Sequence, residues 1–413
     1  MSHTIDLPWL HDRHTHVSLF AALQGCPSLD GLEPEAAVAL LGDLPEDRVS
    51  TVPGWNRARL QLSPEMLEDL PPAILIQGNL RGFALTGAAR RILEPERPWL
   101  ARAQHDPMAC ERVLQPLQEF FGQCAGLTAA GLDRTMAGLQ QVGIGAAEDM
   151  LLTGGDALRV IQASPWKDRI RCWATPAIFH TLDPEARETV AGIKLFTDGA
   201  LGARTAALEG GFLDGGEGLL LHTGPELERE LATLHPLGKP IAIHAIGGRA
   251  IEQALTALEH LARNGMTFPW VRLEHVQFMT LDQARRAKGL GATLSMQPNF
   301  NSDSVDYGDR LAPRVLEANN PFRMLVDHAG FRCGEDLVLG SDGLPHGVEY
   351  ALQWSLFPPF PGQRLSVEEL VAGFGLPPEG TGRSTLVVDR ERRTVRLLHS
   401  AADGPAQERG RSC

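Results

Sequence analysis

Short apolar runs alternate with helical stretches along the chain from residue 135 onward, and this alternation constrains the fold more than any other feature. Each run is followed by a turn and then by apolar residues at helical spacing, as in RAIEQALTALEHLARNG, which closes at Gly265. The predicted strands are LPWLHDRHTH, GIGAAEDM, RIRCWATPAIF, GIKLF, PIAIHAI, WVRLEHV, ATLSMQP and DLVLGSD. Eight strands that are mostly joined by helices predict an α/β fold, a (β/α)8 TIM barrel.

Two regions depart from this alternation. Residues 20–130 are rich in proline and contain helical segments and the strand-like PPAILIQG, which predicts an inserted subdomain or lid after strand one. Residues 384–398, STLVVDRERRTVRLL, have the pattern of a β-hairpin with a charged turn. The predicted ranges are 1–19 and 131–375 for the barrel, 20–130 for the insertion, 376–400 for the C-terminal hairpin and 401–413 for a flexible polar tail.

Composition narrows the class of partner. The 413 residues are 43% hydrophobic, which suits a globular chain with a sizeable core, and the net charge of −13 argues against nucleic acid or an anionic membrane as the main partner. The six cysteines form no C-x-x-C pair, the N-terminus has no apolar signal region, and no apolar stretch reaches the ~20 residues of a membrane span. We therefore predict a soluble, acidic, cytoplasmic protein. The small-molecule substrate that we also predict follows from the candidate site residues.

Histidines and an aspartate lie in or just after the predicted strands. His14 and His16 are two residues apart on a strand and point to one face, while His244, His275 and Asp342 each end a separate run. Taken singly, each has an ordinary alternative: a surface histidine, a core histidine or a turn-forming aspartate. Because parallel barrels gather such side chains at the carboxyl ends of their strands, the five together predict a metal site.

Lys194 lies in GIKLF, a predicted buried strand, where a charged amine is energetically costly unless it is paired. One alternative is a salt bridge to Asp198, four residues further on. The other is carboxylation by CO2, which gives an anionic group that can bridge two cations. His3 and His11, which have no comparable partners in the sequence, are predicted to be surface residues.

With these residues in order, the sequence resembles the amidohydrolase superfamily, and most closely the branch that includes N-substituted formamide deformylases and many metal-dependent hydrolases. The resemblance covers residues 5–20 and 135–350, and its most specific segments are KLFTDGALGARTAAL, IHAIGGRAI, RLEHVQ, SMQPN and LGSDGLP. The family pattern also includes an aspartate before the paired histidines, which is Asp12 here. Members usually carry a small β-sandwich, which this chain reduces to the hairpin near residue 390.

The resemblance implies a metal centre with assigned roles. His14, His16 and Asp342 would hold one ion, and His244 and His275 a second. The implied catalytic residues are Asp342, as proton shuttle, and carboxylated Lys194, as the bridging ligand. Candidates for substrate binding are Arg204 and Asn299. One or two divalent ions are expected, zinc first and manganese or iron as alternatives.

The implied reaction is hydrolysis of a C–N bond other than a peptide bond, in an amide, an N-substituted formamide or a cyclic amide, by attack of a metal-bound hydroxide. Two alternatives stay open. The same barrel could act as an ester or lactone hydrolase or as a deaminase, or the chain could be a non-catalytic descendant used for binding. A homodimer is a family-level expectation.

Overall fold

The computed structural model describes residues 2–78, 80–378 and 382–402. The predicted tail therefore lies outside the described residues from position 403 onward. The chain divides into two units. The first comprises Met1–His16, Met136–Met150 and Pro165–Cys413, and the second comprises Val17–Thr135 and Leu151–Ser164. The predicted domain ranges, and the role of the insertion as a lid, stay predictions.

The strands, in chain order, are β1 Ser2–Pro8, β2 Leu10–Thr15, β3 Ser50–Trp55, β4 Ala73–Gln77, β5 Phe83–Leu85, β6 Ile144–Asp149, β7 Ile170–Ala174, β8 Gly192–Phe196, β9 Ile241–Ala245, β10 Val271–His275, β11 Thr293–Met296, β12 Leu337–Leu339, β13 Gly382–Asp389 and β14 Thr394–Ala402.

The helices are α1 Val17–Leu23, α2 Pro34–Gly42, α3 Pro64–Asp69, α4 Gly87–Leu93, α5 Trp99–Ala103, α6 Pro107–Arg112, α7 Leu114–Ala125, α8 Ala129–Gln141, α9 Gly155–Ala163, α10 Pro176–Thr181, α11 Pro184–Thr189, α12 Gly224–Leu234, α13 Gly248–Arg263, α14 Leu281–Gly289, α15 Asp303–Asp306, α16 Pro313–Ala318, α17 Val348–Leu356 and α18 Val367–Phe374. Within the described residues, no helix is long and apolar enough to cross a membrane.

Eight strands form one parallel sheet in the order β12-β11-β10-β9-β8-β7-β6-β2. The strands follow chain order around the sheet, and β9 is typical: all five of its residues, IAIHA, are buried. A parallel sheet covered by helices buries both faces of its strands, which is why these segments are short and mostly apolar. The predicted (β/α)8 barrel is confirmed.

The two ends of the sheet meet between β2 and the loop after β12. The backbone N–H of Asp342 donates to the carbonyl of His14 at 2.7 Å. Gly340 allows this approach, because a Cβ atom there would lie 2.7 Å from the Cβ of His14. The sheet is therefore nearly closed into a barrel, and its closing seam carries two of the predicted site residues.

The helices begin where the sequence supplies a cap. Thr280 accepts a hydrogen bond from the backbone N–H of Gln283, and the Gln283 side chain accepts from the backbone N–H of Thr280. This reciprocal capping box fixes the start of α14 directly after the β10 loop.

The predicted first strand is divided between two sheets. Ser2–Pro8 forms β1 and pairs antiparallel with β13, while Leu10–Thr15 forms the barrel strand β2. Strands β13 and β14 form the predicted hairpin, so β1 makes it a three-stranded sheet. Residues 2–8, which we predicted to be part of the barrel, therefore lie in a different sheet. Only the long-range partner β13 distinguishes the two, and it is invisible in local sequence.

The second unit has a sheet of its own, in the order β3-β4-β5. Strand β4 is the predicted PPAILIQG strand, and its central residues are fully buried. One face of this sheet joins an apolar cluster that includes Ile74, Phe83 and Phe121. The other joins a second cluster, which includes Leu75 and Trp55. Because β-strand side chains alternate between faces, Ile74 and Leu75 serve different clusters.

Candidate metal centre

The predicted site residues lie in five of the eight barrel strands or directly after them. His14 lies in β2 and His16 directly follows it, Lys194 lies in β8, and His244 and His275 lie in β9 and β10. Asp342 follows β12. All come from the first unit. Parallel strands present their carboxyl ends on the same side of the sheet, so side chains distant in sequence meet there.

Three of these side chains form a compact group of possible ligands. One ligand atom each from His14, His275 and Asp342 lies within 4.8 Å of the others. The two histidines are buried, with ring centroids 4.7 Å apart, and His14 Nε2 lies 3.5 Å from Asp342 Oδ1. Two imidazoles and a carboxylate at this spacing could hold a divalent cation.

His16 extends this group. Its Nε2 lies 2.8 Å from Asp342 Oδ1, the same oxygen that faces His14. The nearby imidazoles of His14, His16 and His275 hold the pKa of Asp342 well below its usual range, against the effect of burial. The carboxylate is therefore ionised and able to serve as a ligand or proton acceptor.

His244 stands beside the group and points one nitrogen away from it. Its ring centroid is 4.5 Å from that of His275, but its Nε2 lies 3.0 Å from the carbonyl of Gly199. Burial, together with the nearby His244 and His14, keeps the pKa of His275 well below its usual value. The His275 ring is thus neutral, which metal binding requires.

Lys194 is fully buried, and within the described part of the chain its Nζ has no hydrogen-bond partner. Burial lowers its pKa to about 8, although Glu274 and Asp342 act in the opposite direction. The alternative salt bridge to Asp198 is not formed. Instead, Asp198 accepts hydrogen bonds from the backbone N–H groups of Ile246 and Gly247, each at 2.9 Å. The Phe196 ring lies 5.0 Å from Nζ, but a buried amine without a hydrogen-bond acceptor still favours a ligand or a modification that satisfies it.

The backbone is strained at two of the site residues. His275 and the following Val276 have φ angles of 71° and 43°, and Asp342 has a φ of 57°. These left-handed conformations are disfavoured for residues with a Cβ atom, most of all for a β-branched valine. Such strain concentrates at functional sites, where it aims particular side chains.

Asp12 holds the two ends of the barrel together beneath the site. Its Oδ1 accepts from the backbone N–H groups of His14, at 3.1 Å, and Ser341, at 2.9 Å. Its Oδ2 accepts from the Ser341 hydroxyl. His346 Nδ1 lies 3.2 Å from the same hydroxyl. Asp12 therefore positions the backbone around His14 and Asp342.

A buried ionic network, which was not predicted from the sequence, lies next to His14. Arg272 and Glu274 lie in β10, and Glu148 lies in β6; all three side chains are fully buried. Glu274 Oε2 lies 2.7 Å from His14 Nδ1. A signal was present in RLEH, because two charges at alternate positions of a buried strand share one face and need partners inside the protein.

The two predicted substrate-binding residues have other contacts. Arg204 is exposed and its guanidinium pairs with Asp214 at 2.5 Å. Asn299 is buried, and its Nδ2 donates to the carbonyls of Ser341 and Leu344 at 2.8 and 2.7 Å. Asn299 thus fixes the loop that carries Asp342. Substrate binding by either residue stays a prediction.

The expectation that His11 lies on the surface is wrong. Only 4% of the residue is exposed, because β2 is a barrel strand and His11 bonds through its backbone N–H to Gly375, at the end of α18. Burial, together with Arg13, lowers the pKa of His11 to about 4. The polar composition of LHDRHTH concealed a strand that is covered on both faces.

Comparison with known proteins places the chain in a family. The sequence profile described as the amidohydrolase family matches residues 123–348, more than half of the chain. The chain is 36% identical over 138 residues to a Bacillus subtilis protein named putative amidohydrolase YtcJ. The aligned residues make up 32% of this chain and 26% of that protein. It is 31% identical over 156 residues to protein LONG AFTER FAR-RED 3 of Arabidopsis thaliana. These residues make up 37% of this chain and 26% of that protein. The chain thus spans about a quarter of the length of the curated relatives it matches.

Solved structures share the fold. An uncharacterised metal-dependent hydrolase from Pyrococcus horikoshii superposes with a TM-score of 0.65 at 22% identity, over 86% of this chain and 75% of that one. A second uncharacterised metal-dependent hydrolase, from Pyrococcus furiosus, superposes with a TM-score of 0.64 at 19% identity. This superposition covers 90% of this chain and 81% of that one. With the family profile spanning the barrel strands from β6 to β12, these findings lead to one conclusion: the chain belongs to the amidohydrolase family.

Proposed function

We propose that this protein is a metal-dependent hydrolase that cleaves a C–N bond of an amide, an N-substituted formamide or a cyclic amide. The observation that carries the proposal is the convergence of His14, His275 and Asp342, with ligand atoms within 4.8 Å of one another, at the carboxyl ends of the barrel strands. The family assignment and the name of the Bacillus subtilis relative support the same class of reaction.

The donor set suits a divalent metal. His14, His16 and Asp342 would hold one ion, and His244 and His275 would hold a second after the His244 ring turns from the Gly199 carbonyl. Imidazole and carboxylate donors favour zinc, and manganese or iron fit the same set. Such ions, when bound, polarise a carbonyl group and lower the pKa of a water molecule.

Lys194 would bridge the two ions as a carbamate. Its neutral amine adds to the carbon of CO2 and releases one proton, which leaves an anionic carboxylate on Nζ. The buried Nζ lies 5.0 Å from the centre of the Phe196 ring but has no hydrogen-bond partner among the described residues. This supports the modification, since the new carboxylate would be satisfied by cations.

Asp342 would move the proton. Its ionised carboxylate can accept a proton from the attacking water and return it to the leaving nitrogen of the substrate. His16 Nε2, at 2.8 Å from Oδ1, holds the carboxylate in one orientation during this exchange. The strained backbone of Asp342 serves the same end, because it aims the carboxylate at the histidines and not at solvent.

Product analysis tests the proposal. Protein stripped with a chelator and reloaded with Zn²⁺, Mn²⁺ or Fe²⁺ would be offered N-substituted formamides, cyclic amides, anilides, esters and lactones. We expect release of an amine or opening of a cyclic amide only in the reloaded protein. Release of an alcohol alone, of ammonia alone, or equal turnover in stripped and reloaded protein would each contradict the assignment.

A further inference from the structure

Three fully buried charged side chains next to the site need an explanation. Arg272, Glu148 and Glu274 each have no exposed surface. Removing an ion from water costs several kcal/mol even after relaxation, so such a group is tolerated only with close partners. Arg272 starts from β10 and reaches residues of β2, β6 and β11, which means that it crosses the inside of the barrel.

The guanidinium of Arg272 contacts both buried glutamates. Its Nη1 donates to Glu148 at 2.6 Å, and its Nη2 donates to the Arg13 carbonyl at 2.8 Å and to Glu274 Oε2 at 3.4 Å. Its Nε lies 2.9 Å from Glu274 Oε1, an ion-pair contact without hydrogen-bond geometry. The rings of Trp173 and Trp270 lie 5.1 and 5.3 Å from its central carbon. A cation fixed this firmly keeps the adjacent Glu274 carboxylate ionised and stationary.

The other oxygen of Glu274 determines the state of His14. An ionised carboxylate can only accept hydrogen bonds, so the 2.7 Å contact between Glu274 Oε2 and His14 Nδ1 requires the proton on Nδ1. In the neutral ring, Nε2 then carries the lone pair. This is the nitrogen that faces Asp342, at 3.5 Å. His275 is held differently, because its Nδ1 meets the uncharged amide oxygen of Gln297 at 2.8 Å.

We propose that Glu274 is a positioning residue of the metal centre: held by Arg272, it fixes the proton of His14 on Nδ1 and presents Nε2 as a ligand. The metal part of this inference rests on the proposed function. The tautomer of His14 does not, because it follows from contacts within the chain. A carboxylate behind a ligating histidine both orients the ring and raises its donor strength.

The substitution Glu274→Gln tests the proposal, because a glutamine cannot satisfy both neighbours. If its oxygen accepts from Arg272, its amino group faces His14 Nδ1 and reverses the tautomer. If its oxygen accepts from His14, its amino group faces the Nε–H of Arg272. We expect the affinity for Zn²⁺, measured by competition with a chromophoric chelator, to fall about 10- to 100-fold. The matched control is Glu148→Gln, which alters the same Arg272 without touching His14 and should change the affinity less than about threefold.

A second readout needs no metal. In chelator-treated wild-type protein with ¹⁵N-labelled histidine, the His14 signals, assigned by their loss in His14→Asn, should show Nδ1 protonated and Nε2 bare. The ¹⁵N chemical shifts of His14 should change in Glu274→Gln and remain unchanged in Glu148→Gln. A wild-type proton on Nε2, or equal loss of Zn²⁺ affinity in both variants, would overturn the inference. Wild-type protein that binds no Zn²⁺ but shows the expected tautomer would instead contradict the proposed function alone.

Discussion

At the scale of single residues, the sequence could name the candidate ligands but not their surroundings. The H-x-H pair is recognisable because residues two apart on a strand share a face, and Lys194 because a charge in an apolar run is costly. The partners of these groups come from strands far away in sequence. Glu274, which contacts His14, is 260 positions from it, and only the nearly closed barrel brings the two together.

The buried His11 should make stability depend on pH. Its pKa is about 4 in the folded protein and about 6.5 when the chain is unfolded, so the unfolded state binds more protons between these values. The stabilisation is complete above pH 6.5 and is lost as pH falls toward 4. We expect the free energy of unfolding in urea to fall less for His11→Gln than for wild type when the pH is lowered from 7.5 to 4.5. The difference between the two losses should be up to about 3 kcal/mol. Equal losses in the two proteins would show that the His11 ring titrates normally.

Asp342 should matter more for turnover than for metal binding. The variant Asp342→Asn keeps an oxygen near His14 and His16 but cannot accept a proton, so we expect turnover of an amide substrate to fall roughly 10²- to 10⁴-fold. Metal content, measured by mass spectrometry, should be largely retained because the histidines remain. A variant that instead loses its metal would identify Asp342 mainly as a ligand.

At the scale of elements, the site depends on how β2 meets the end of β12. The barrel strands were predictable because each is short, mostly apolar and followed by a turn and a helix. The separation of β1 from β2 was not predictable, because the boundary depends on the pairing of Ser2–Pro8 with β13, from Ser2↔Asp389 to Pro8↔Arg383. Local sequence does not encode such a contact, although both segments carry suitable strand patterns.

Gly340 at this seam should be intolerant of a side chain. An added methyl group would overlap the backbone of His14 and approach Asp12 Oδ1 to 2.9 Å, and neither neighbour is a flexible side-chain end. We expect Gly340→Ala to destabilise the protein by about 1–3 kcal/mol and to weaken Zn²⁺ binding, as measured by urea unfolding and metal titration. The control is Gly289→Ala at the end of α14, where an added Cβ meets nothing within 4 Å. Unchanged metal affinity in Gly340→Ala would mean that the seam does not position the site.

At the scale of the whole molecule, the chain joins a barrel unit that carries the predicted site residues to a second unit with its own sheet and two apolar clusters. The barrel could be predicted from its regular alternation, whereas the second unit has no repeated pattern from which its sheet order could be inferred. Substrate choice is the least predictable property, because it depends on the side chains around the candidate metal centre and not on the proposed ligands themselves.

Metal content distinguishes a centre with two bridged ions from a centre with one ion and from a barrel without metal. Protein purified without chelators would be analysed by mass spectrometry as wild type, as Lys194→Met, which keeps the side-chain volume, and as Lys167→Met, which changes an exposed lysine. We expect about two divalent ions per wild-type chain, fewer in Lys194→Met and no change in Lys167→Met. One ion that is insensitive to Lys194 would contradict the bridging role, and wild-type protein without any metal would contradict the metal centre itself.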